Sequence, residues 1–171
     1  MNSLTEPPLQ HLDDAFFDRD AQIVAQALLG TVIRHCVDGL WLSAPIIETE
    51  DYYIDEKASP SSLGHSPSRR AMFMPAGHLY LYYSRGGDSL NFSVQGDGNA
   101  VCIKAGYPWV DSLSCEESIE RMRTNSPAAA GGPRPLTRLC SGQTLLCKAL
   151  GLKVAEWNAQ RMDPTDRKSN V

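Results

Sequence analysis

The chain has 171 residues, 42% of them hydrophobic and 21% charged, as in an ordinary globular protein. This length fits one domain, expected over residues 1–171, with a core that needs no disulfides. The sequence contains no apolar run long enough to span a bilayer and no N-terminal secretory pattern, so we expect a cytoplasmic protein with no membrane partner. The five scattered cysteines lack metal-ligand spacing, so we expect reduced thiols and no metal.

The formal net charge of −4 is concentrated at the N-terminus. Residues 1–20 contain five acidic residues and one basic residue, so the remaining 151 residues are neutral as a set. If this acidic segment faces away from a ligand, the rest of the chain is free to form a local basic surface. The charge therefore permits a DNA ligand without indicating one.

The first elements are predicted to be one helix and a β-hairpin. Apolar residues at helical spacing predict a helix over 15–29, with Asp13 or Asp14 as its N-cap. The dipeptide Asp38-Gly39 then separates two apolar segments, which is the pattern of a tight hairpin turn. Pro45 inside the second strand predicts a bulge or a sheet edge.

The rest of the chain predicts further strands and then helices. Residues 54–77 form a long polar segment with three prolines, and loops of this length are usually functional or disordered. The order of elements indicates an α+β domain with one curved antiparallel sheet. Beyond it, the polar tail over 163–171 is expected to fray. The predicted strands are 78–84, 89–95 and 99–107, with a turn at 85–88, and the predicted helices lie near 115–124 and 144–150.

Two carboxylates lie close together in IIETEDYY, residues 46–53. If this segment is a strand, Glu48 and Glu50 point to the same face. A carboxylate beside the rings of Tyr52 and Tyr53 could have the raised pKa of a general base. The segment alone equally allows a solvated strand end near a turn.

Tyrosines crowd the predicted strand 78–84, where Tyr80 and Tyr82 share a face. Together with Tyr52 they could stack on a flat, electron-poor ring such as an alkylated purine, although tyrosines also favour strands for structural reasons. Arg85 in the following glycine-rich turn could fill the gap that a flipped base leaves in DNA. An arginine in a hairpin turn is otherwise commonplace.

Two polar residues occupy the next strands. Asn91 lies within an apolar strand, where a buried amide must find partners. In a base pocket it could instead reject purines that carry an extra exocyclic amino group. Lys104, on the following strand, could bind a phosphate or a base edge.

Taken together, these segments resemble the 3-methyladenine DNA glycosylase family of the mammalian alkyladenine (methylpurine) type, which has bacterial members. The resemblance implies a single α+β domain with a curved antiparallel sheet, flanking helices and a β-hairpin that inserts into the DNA minor groove. The matching stretches occur in the family's order and cover most of the chain from about residue 20 to 160: ALLG (27–30), IIETEDYY (46–53), RRAMFMPAGHLYLYYSRGG (69–87), LNFSVQGDGNAV (90–101) and LCSGQTLLCKALGL (139–152).

The resemblance implies a catalytic residue and its surroundings. Glu50 matches the general base that activates the attacking water, and Lys104 matches an arginine that contacts water or the backbone. Glu48 would then be structural. The implied reaction is hydrolysis at C1′ of the damaged nucleotide, with no covalent Schiff base, no strand cleavage and no cofactor.

The same resemblance implies how the damaged base is held. Tyr52 and Tyr82 match aromatics that stack on the flipped base, and Asn91 matches the pocket asparagine that clashes with the guanine amino group. Arg85 falls where many members place an intercalating tyrosine, and Tyr83 competes for that role because this hairpin is one residue shorter. The implied partner is double-stranded DNA containing 3-methyladenine, 7-methylguanine or hypoxanthine, bound by a monomer at the bacterial nucleoid.

Two departures from the family leave alternatives open. Pro60 stands where the family usually has a base-contacting histidine, and His65 lies five residues further on. The chain also ends soon after residues 139–152, where the family continues through a further segment. One alternative is therefore a damaged-DNA binder that has lost catalysis. Another is a sugar-cleaving enzyme that uses Glu48 and Glu50 as a carboxylate pair.

Overall fold

The computed structural model describes residues 10–162 and the short strand at 169–170. Its six strands form one antiparallel sheet in the order β3-β4-β5-β2-β1-β6, which confirms the predicted α+β class. Apart from that short strand, the tail predicted to fray lies outside the described residues. The strands are β1 Val32–Val37, β2 Leu40–Tyr52, β3 Leu79–Ser84, β4 Gly87–Ser93, β5 Ala100–Gly106 and β6 Ser169–Asn170.

Six short α-helices and two 3₁₀ helices accompany the sheet in the described part of the chain. None of the helices described here is long and apolar enough to cross a membrane. The α-helices are α1 Asp14–Phe17, α2 Ala21–Leu28, α3 Glu116–Asn125, α4 Leu136–Leu139, α5 Gln143–Leu150 and α6 Val154–Trp157, and the 3₁₀ helices are Pro60–Leu63 and Arg70–Phe73.

The prediction of a single helix over 15–29 is wrong, because the chain forms α1 and α2 with a break between them. The carboxylate of Asp13 accepts a hydrogen bond from the Phe16 amide and caps α1. The carboxylate of Asp20 accepts one from the Gln22 amide and starts a second helix. Such a side chain satisfies an amide that has no partner inside its helix, so each aspartate favours a helix start.

The two tight turns, between β1 and β2 and between β3 and β4, each contain two residues in the left-handed region of backbone space. The φ values are 50° at Asp38 and 82° at Gly39, which confirms the tight turn predicted there. They are 52° at Arg85 and 80° at Gly86, so the turn between β3 and β4 is shorter than the predicted 85–88. Gly87 already belongs to β4.

The region after Pro45 contains the predicted bulge, although β2 is not an edge strand. The register of β2 against β5 shifts between Ile46 and Thr49. Ile46 is buried in the core, and beyond the shift the Thr49 hydroxyl donates to the Ala25 carbonyl in α2. Thr49 therefore faces the helix, and strand alternation directs Glu50 to the opposite side of the sheet.

The two faces of the sheet bury different clusters. The larger core packs residues such as Phe92 and Ile103 against the helices, and Phe17 stacks on Phe92 with ring centroids 4.9 Å apart. A smaller cluster on the other face joins Tyr80 to Met72 of the 3₁₀ helix Arg70–Phe73. The long segment predicted as a loop is thus partly folded onto the second face, beside the candidate site.

Candidate active site

One row of cross-strand neighbours runs over the second face of the sheet. Tyr80 of β3 is paired with Asn91 of β4, Asn91 with Cys102 of β5, and Cys102 with Glu50 of β2. Directly paired residues point to the same face, so these four side chains lie side by side. The sheet thereby brings the predicted base Glu50 and the predicted pocket residue Asn91 together.

The carboxylate of Glu50 is held through one of its oxygens. Oε2 accepts a hydrogen bond of 2.9 Å from the Tyr52 hydroxyl and one of 2.8 Å from Nζ of Lys104. Oε1 has no hydrogen bond to the residues that the structure describes, and 43% of the side chain is exposed. One oxygen is therefore fixed, and the other is free to accept a hydrogen bond from water.

The predicted raised pKa of Glu50 is wrong, since its pKa is lowered. Burial alone would raise it, but the hydrogen bonds from Lys104 and Tyr52 and the charge of Lys104 outweigh burial. Lys104 shows the reciprocal effect: burial acts to lower its pKa, yet the contact with Glu50 raises it overall. Both groups are consequently charged at neutral pH.

Tyr52 contacts Glu50 through its hydroxyl and is 7% exposed. Burial is the largest cause that raises its pKa, followed by the neighbouring Cys102 and the hydrogen bond to Glu50. The hydroxyl therefore stays protonated and remains a donor. Whether its ring also stacks on a base stays a prediction.

Tyr80 and Tyr82 lie on the same face, as their spacing predicts, and their rings stack on each other with centroids 5.6 Å apart and planes inclined by 29°. Tyr80 is 2% exposed, and burial raises its pKa to about 12. Tyr82 is only half-buried. Tyr82 is therefore the ring of this pair that a ligand can reach.

A groove of about 480 Å³ borders the two tyrosines. Pro60 lies on its wall, so this proline does occupy a position beside the aromatic pair. His65 instead packs edge-on against Phe73, with centroids 5.2 Å apart, and is not part of that wall. The other lining residues include Leu63, Arg69, Arg70 and Tyr83.

Asn91 is fully buried and only half satisfied within the described residues. Its Nδ2 donates to the Tyr80 carbonyl at 3.1 Å, whereas Oδ1 has no partner there. An unsatisfied buried carbonyl costs about 1–3 kcal/mol, so such groups usually serve a water or a ligand. The free acceptor is consistent with a place in a binding pocket.

Arg85 and Tyr83 are both exposed near the tip of the β3–β4 hairpin, at the edge of the sheet. Arg85 makes no hydrogen bond or ion pair with any residue described. Tyr83 is 67% exposed, and its cross-strand pair lies next to the pair of Ser84 and Gly87, which is the last one before the turn. The structure therefore presents both candidates at the same end. Which of them enters DNA stays a prediction.

Comparison with known proteins assigns the chain to a family. The sequence model of the methylpurine-DNA glycosylase (MPG) family matches residues 15–170. The chain belongs to this family. This confirms the resemblance found in the sequence.

Relatives in several bacteria carry the name "Putative 3-methyladenine DNA glycosylase". The chain is 59% identical to one from Pseudomonas aeruginosa strain LESB58 over 162 residues, which are 95% of this chain and 68% of the relative. It is 63% identical to one from Pseudomonas fluorescens strain Pf0-1 over 152 residues, 89% of this chain and 66% of the relative. The chain is 38% identical to one from Agrobacterium fabrum over 138 residues, which are 81% of this chain and 63% of the relative. The matched region thus spans about two thirds of each relative.

The pairing of Glu48 with Glu50 as two catalytic carboxylates stays a prediction. The register against β5 shifts on both sides of Glu48, so the simple alternation behind that prediction is interrupted, and Glu48 is exposed. The partners of Glu50 are a tyrosine and a lysine instead. Among the described residues, no group of three or more histidine, cysteine, aspartate or glutamate side chains could hold a metal ion.

The sequence reasoning missed Gln143, the first residue of α5. Its Nε2 donates to the Tyr82 hydroxyl at 3.1 Å and to the Ser89 hydroxyl at 2.8 Å. Its Oε1 lies 3.9 Å from Sγ of Cys102. The available signal was a carboxamide side chain at the start of the helix in LCSGQTLLCKALGL.

Proposed function

We propose that this chain is a base-excision-repair glycosylase that flips an alkylated purine out of duplex DNA and hydrolyses its N-glycosidic bond. The observation that carries the proposal is Glu50, whose Oε2 is fixed by two donors and whose Oε1 is free for water. Family membership and the names of the relatives support 3-methyladenine as the main substrate, with 7-methylguanine and hypoxanthine as further candidates.

The proposed reaction begins with a water hydrogen-bonded to Oε1 of Glu50. As the bond between C1′ and the purine nitrogen breaks, its electron pair leaves with the base, and the sugar gains oxocarbenium character. Water attacks C1′ on the opposite face and finally transfers its proton to Glu50. An alkylated purine cation leaves as a neutral base, so no general acid is required for it.

The lowered pKa of Glu50 suits this order of events. A weakly basic carboxylate takes a proton poorly from neutral water, but readily once the water has begun to bond to C1′. Until then its negative charge orients the water and stabilises the positive sugar. Lys104 and Tyr52 keep the carboxylate ionised and its free oxygen in place.

We expect a monofunctional enzyme. A glycosylase that also cleaves the strand needs an unprotonated amine to attack C1′. The Lys104 amine lies closest to Glu50, but it is held as an ammonium by that carboxylate, and its pKa is raised. The expected product is therefore an intact strand with an abasic site.

The second face of the sheet supplies the proposed base pocket. Tyr82 and Tyr52 would stack on the flipped purine. Asn91 would disfavour guanine bases through a steric clash with their 2-amino group, which adenine and hypoxanthine lack. The hairpin would place Arg85 or Tyr83 in the gap left in the duplex.

A damaged-DNA binder without turnover is the second candidate. The ion pair with Lys104 weakens Glu50 as a base, and Pro60 on the groove wall cannot donate a side-chain hydrogen bond. Such a protein would retain the tyrosine pair and the hairpin and would lack only the chemical step.

The test is single-turnover release of 3-methyladenine or hypoxanthine from duplex DNA. The wild type is expected to release base, and Glu50→Gln to lose about a hundredfold or more of the rate. Glu48→Gln is a matched control, because Glu48 lies two residues away and is exposed, and its rate should stay within about twofold of the wild type.

Each alternative predicts a different result. A wild type that binds the lesion and releases no base would establish the binder. Loss of activity in both glutamate variants would favour the carboxylate pair. A fully active Glu50→Gln would remove Glu50 as the general base.

A further inference from the structure

We propose that Gln143 is a positioning residue of the base pocket, which holds the ring of Tyr82 in the orientation that stacks on the flipped purine. The inference rests on the proposed function, since it gives one helix residue a task in that pocket. It concerns a side chain that is not itself expected to touch the reacting atoms.

The contacts of Gln143 use all of its hydrogen-bonding groups. Nε2 reaches the hydroxyls of Tyr82 and Ser89, and Oε1 lies within reach of the Cys102 thiol. These three partners come from β3, β4 and β5. One carboxamide therefore connects α5 to three neighbouring strands of the sheet, two of which carry the pocket residues Tyr82 and Asn91.

Tyr82 needs such a constraint because of its position. It lies on the edge strand β3, is half-buried, and stacks on Tyr80 on one side. The hydroxyl is the side-chain atom farthest from the backbone, so fixing it restricts rotation about χ1. The χ2 axis passes through the hydroxyl oxygen, and rotation of the ring about that axis is opposed by its stacking on Tyr80. A ring that is already oriented binds a base with a smaller loss of conformational entropy.

The helix that carries Gln143 is itself well anchored in the core. Farther along α5, Leu146 and Cys147 are fully buried in the main core. The first turn is also close to the hairpin, because a Cβ added at Gly87 would lie 2.7 Å from Cβ of Thr144. The carboxamide thus transfers the rigidity of the core to a ring near the edge of the sheet.

A purely structural role for Gln143 would stabilise the fold without acting through the Tyr82 hydroxyl. The two roles differ in the energetic coupling between Gln143 and the Tyr82 hydroxyl, which a double-mutant cycle measures. Gln143→Leu removes the hydrogen bonds at nearly constant size, and Tyr82→Phe removes only the hydroxyl. If Gln143 acts through the Tyr82 hydroxyl, Gln143→Leu should have little further effect on base release in a protein that already carries Tyr82→Phe.

The experiment measures single-turnover base release and lesion affinity for the wild type, both single variants and the double variant. Each single variant is expected to lose about five- to tenfold in rate or affinity, the effect of one hydrogen bond. The double variant should be no more than about twofold worse than either single variant. Gln143→Glu keeps an acceptor for both hydroxyls and should recover most of the loss.

Gln26→Leu is the matched control, because it makes the same change at an exposed glutamine of α2 and should leave base release unchanged. Melting temperatures identify variants that fail to fold, and rates are then compared well below the lowest melting temperature. Additive losses in the double variant, or a wild-type rate for Gln143→Leu, would overturn the inference.

Failure of the proposed function would look different. If the wild type bound the lesion without releasing base, catalysis would be disproved, and the same cycle in lesion affinity would still decide the role of Gln143. If the wild type neither bound the lesion nor released base, both proposals would fall together.

Discussion

The ammonium of Lys104 donates a 2.8 Å hydrogen bond to Oε2 of Glu50 from the neighbouring strand of the sheet. The two residues are 54 positions apart in the sequence. Their contact lowers the pKa of Glu50 against the effect of burial and leaves Oε1 as the oxygen that can bind water. The charge state of the candidate base is therefore set by a partner on another strand.

Replacing Lys104 by methionine should move the acid limb of the pH–rate profile to higher pH. Glu50 acts as the carboxylate, so activity is lost as the pH falls through its pKa, which in the wild type lies below the ordinary value of about 4.3. Without the ammonium, burial acts with less opposition and the pKa rises. The measurement is single-turnover release of 3-methyladenine as a function of pH, because this cationic base departs without needing a proton.

Lys104→Arg is the control for this prediction, since it keeps a positive charge near Glu50 and should leave the acid limb low. The same lowered pKa makes Glu50 contribute stability above its ordinary pKa, and this contribution is lost as the pH falls through the folded-state value. An acid limb that is identical in Lys104→Met and the wild type would show that the ion pair does not control the base.

Tyr52→Phe should shift the acid limb in the same direction as Lys104→Met, but by less. It removes one neutral donor to Glu50 and leaves the charge of Lys104 in place. Tyr53→Phe is the adjacent control, because the Tyr53 hydroxyl donates to Asp20 at the start of α2, away from Glu50. Equal shifts in both variants would contradict a specific role for the Tyr52 hydroxyl.

Arg85→Asn should weaken lesion binding and base release while the fold remains as stable as the wild type or more so. Arg85 has φ of 52°, and asparagine followed by glycine is favoured in this kind of turn. The variant therefore removes the guanidinium without disturbing the hairpin, whereas Arg85→Ala changes both. Melting temperature, lesion affinity and single-turnover rate together separate the two effects.

Unchanged affinity and rate in Arg85→Asn would transfer the intercalating role to Tyr83. Tyr83→Ser should then reduce both quantities, since it removes an exposed ring from the same hairpin. If neither variant weakens lesion binding, the hairpin does not fill the gap left by the flipped base.

Asn91→Ser should relax selection against purines that carry the 2-amino group of guanine. A smaller side chain removes the obstacle proposed for that group, so release of 7-methylguanine should rise about tenfold relative to release of hypoxanthine. Both release rates in this ratio are measured on the same protein, so any general loss of activity or stability cancels. A ratio equal to that of the wild type would separate Asn91 from base selection.

Local sequence patterns predicted most of the sheet because strands and tight turns depend on nearby residues. Alternation at Tyr80 and Tyr82 and the dipeptide Asp38-Gly39 were sufficient for their parts of the fold. The break before α2 was missed, although a capping residue, Asp20, stands at that point. The apolar periodicity continues across it and favoured one helix.

The sequence by itself determined the family, the class of fold and the identity of Glu50 as the candidate base, because short ordered motifs carry that information. Tertiary structure alone decided what surrounds Glu50. The β2–β5 pairing brings in Lys104, and the first turn of α5 brings Gln143 to Tyr82. A pKa depends on charges and donors within a few ångströms, whatever their distance along the chain, so the spacing in IIETEDYY predicted the wrong direction for Glu50.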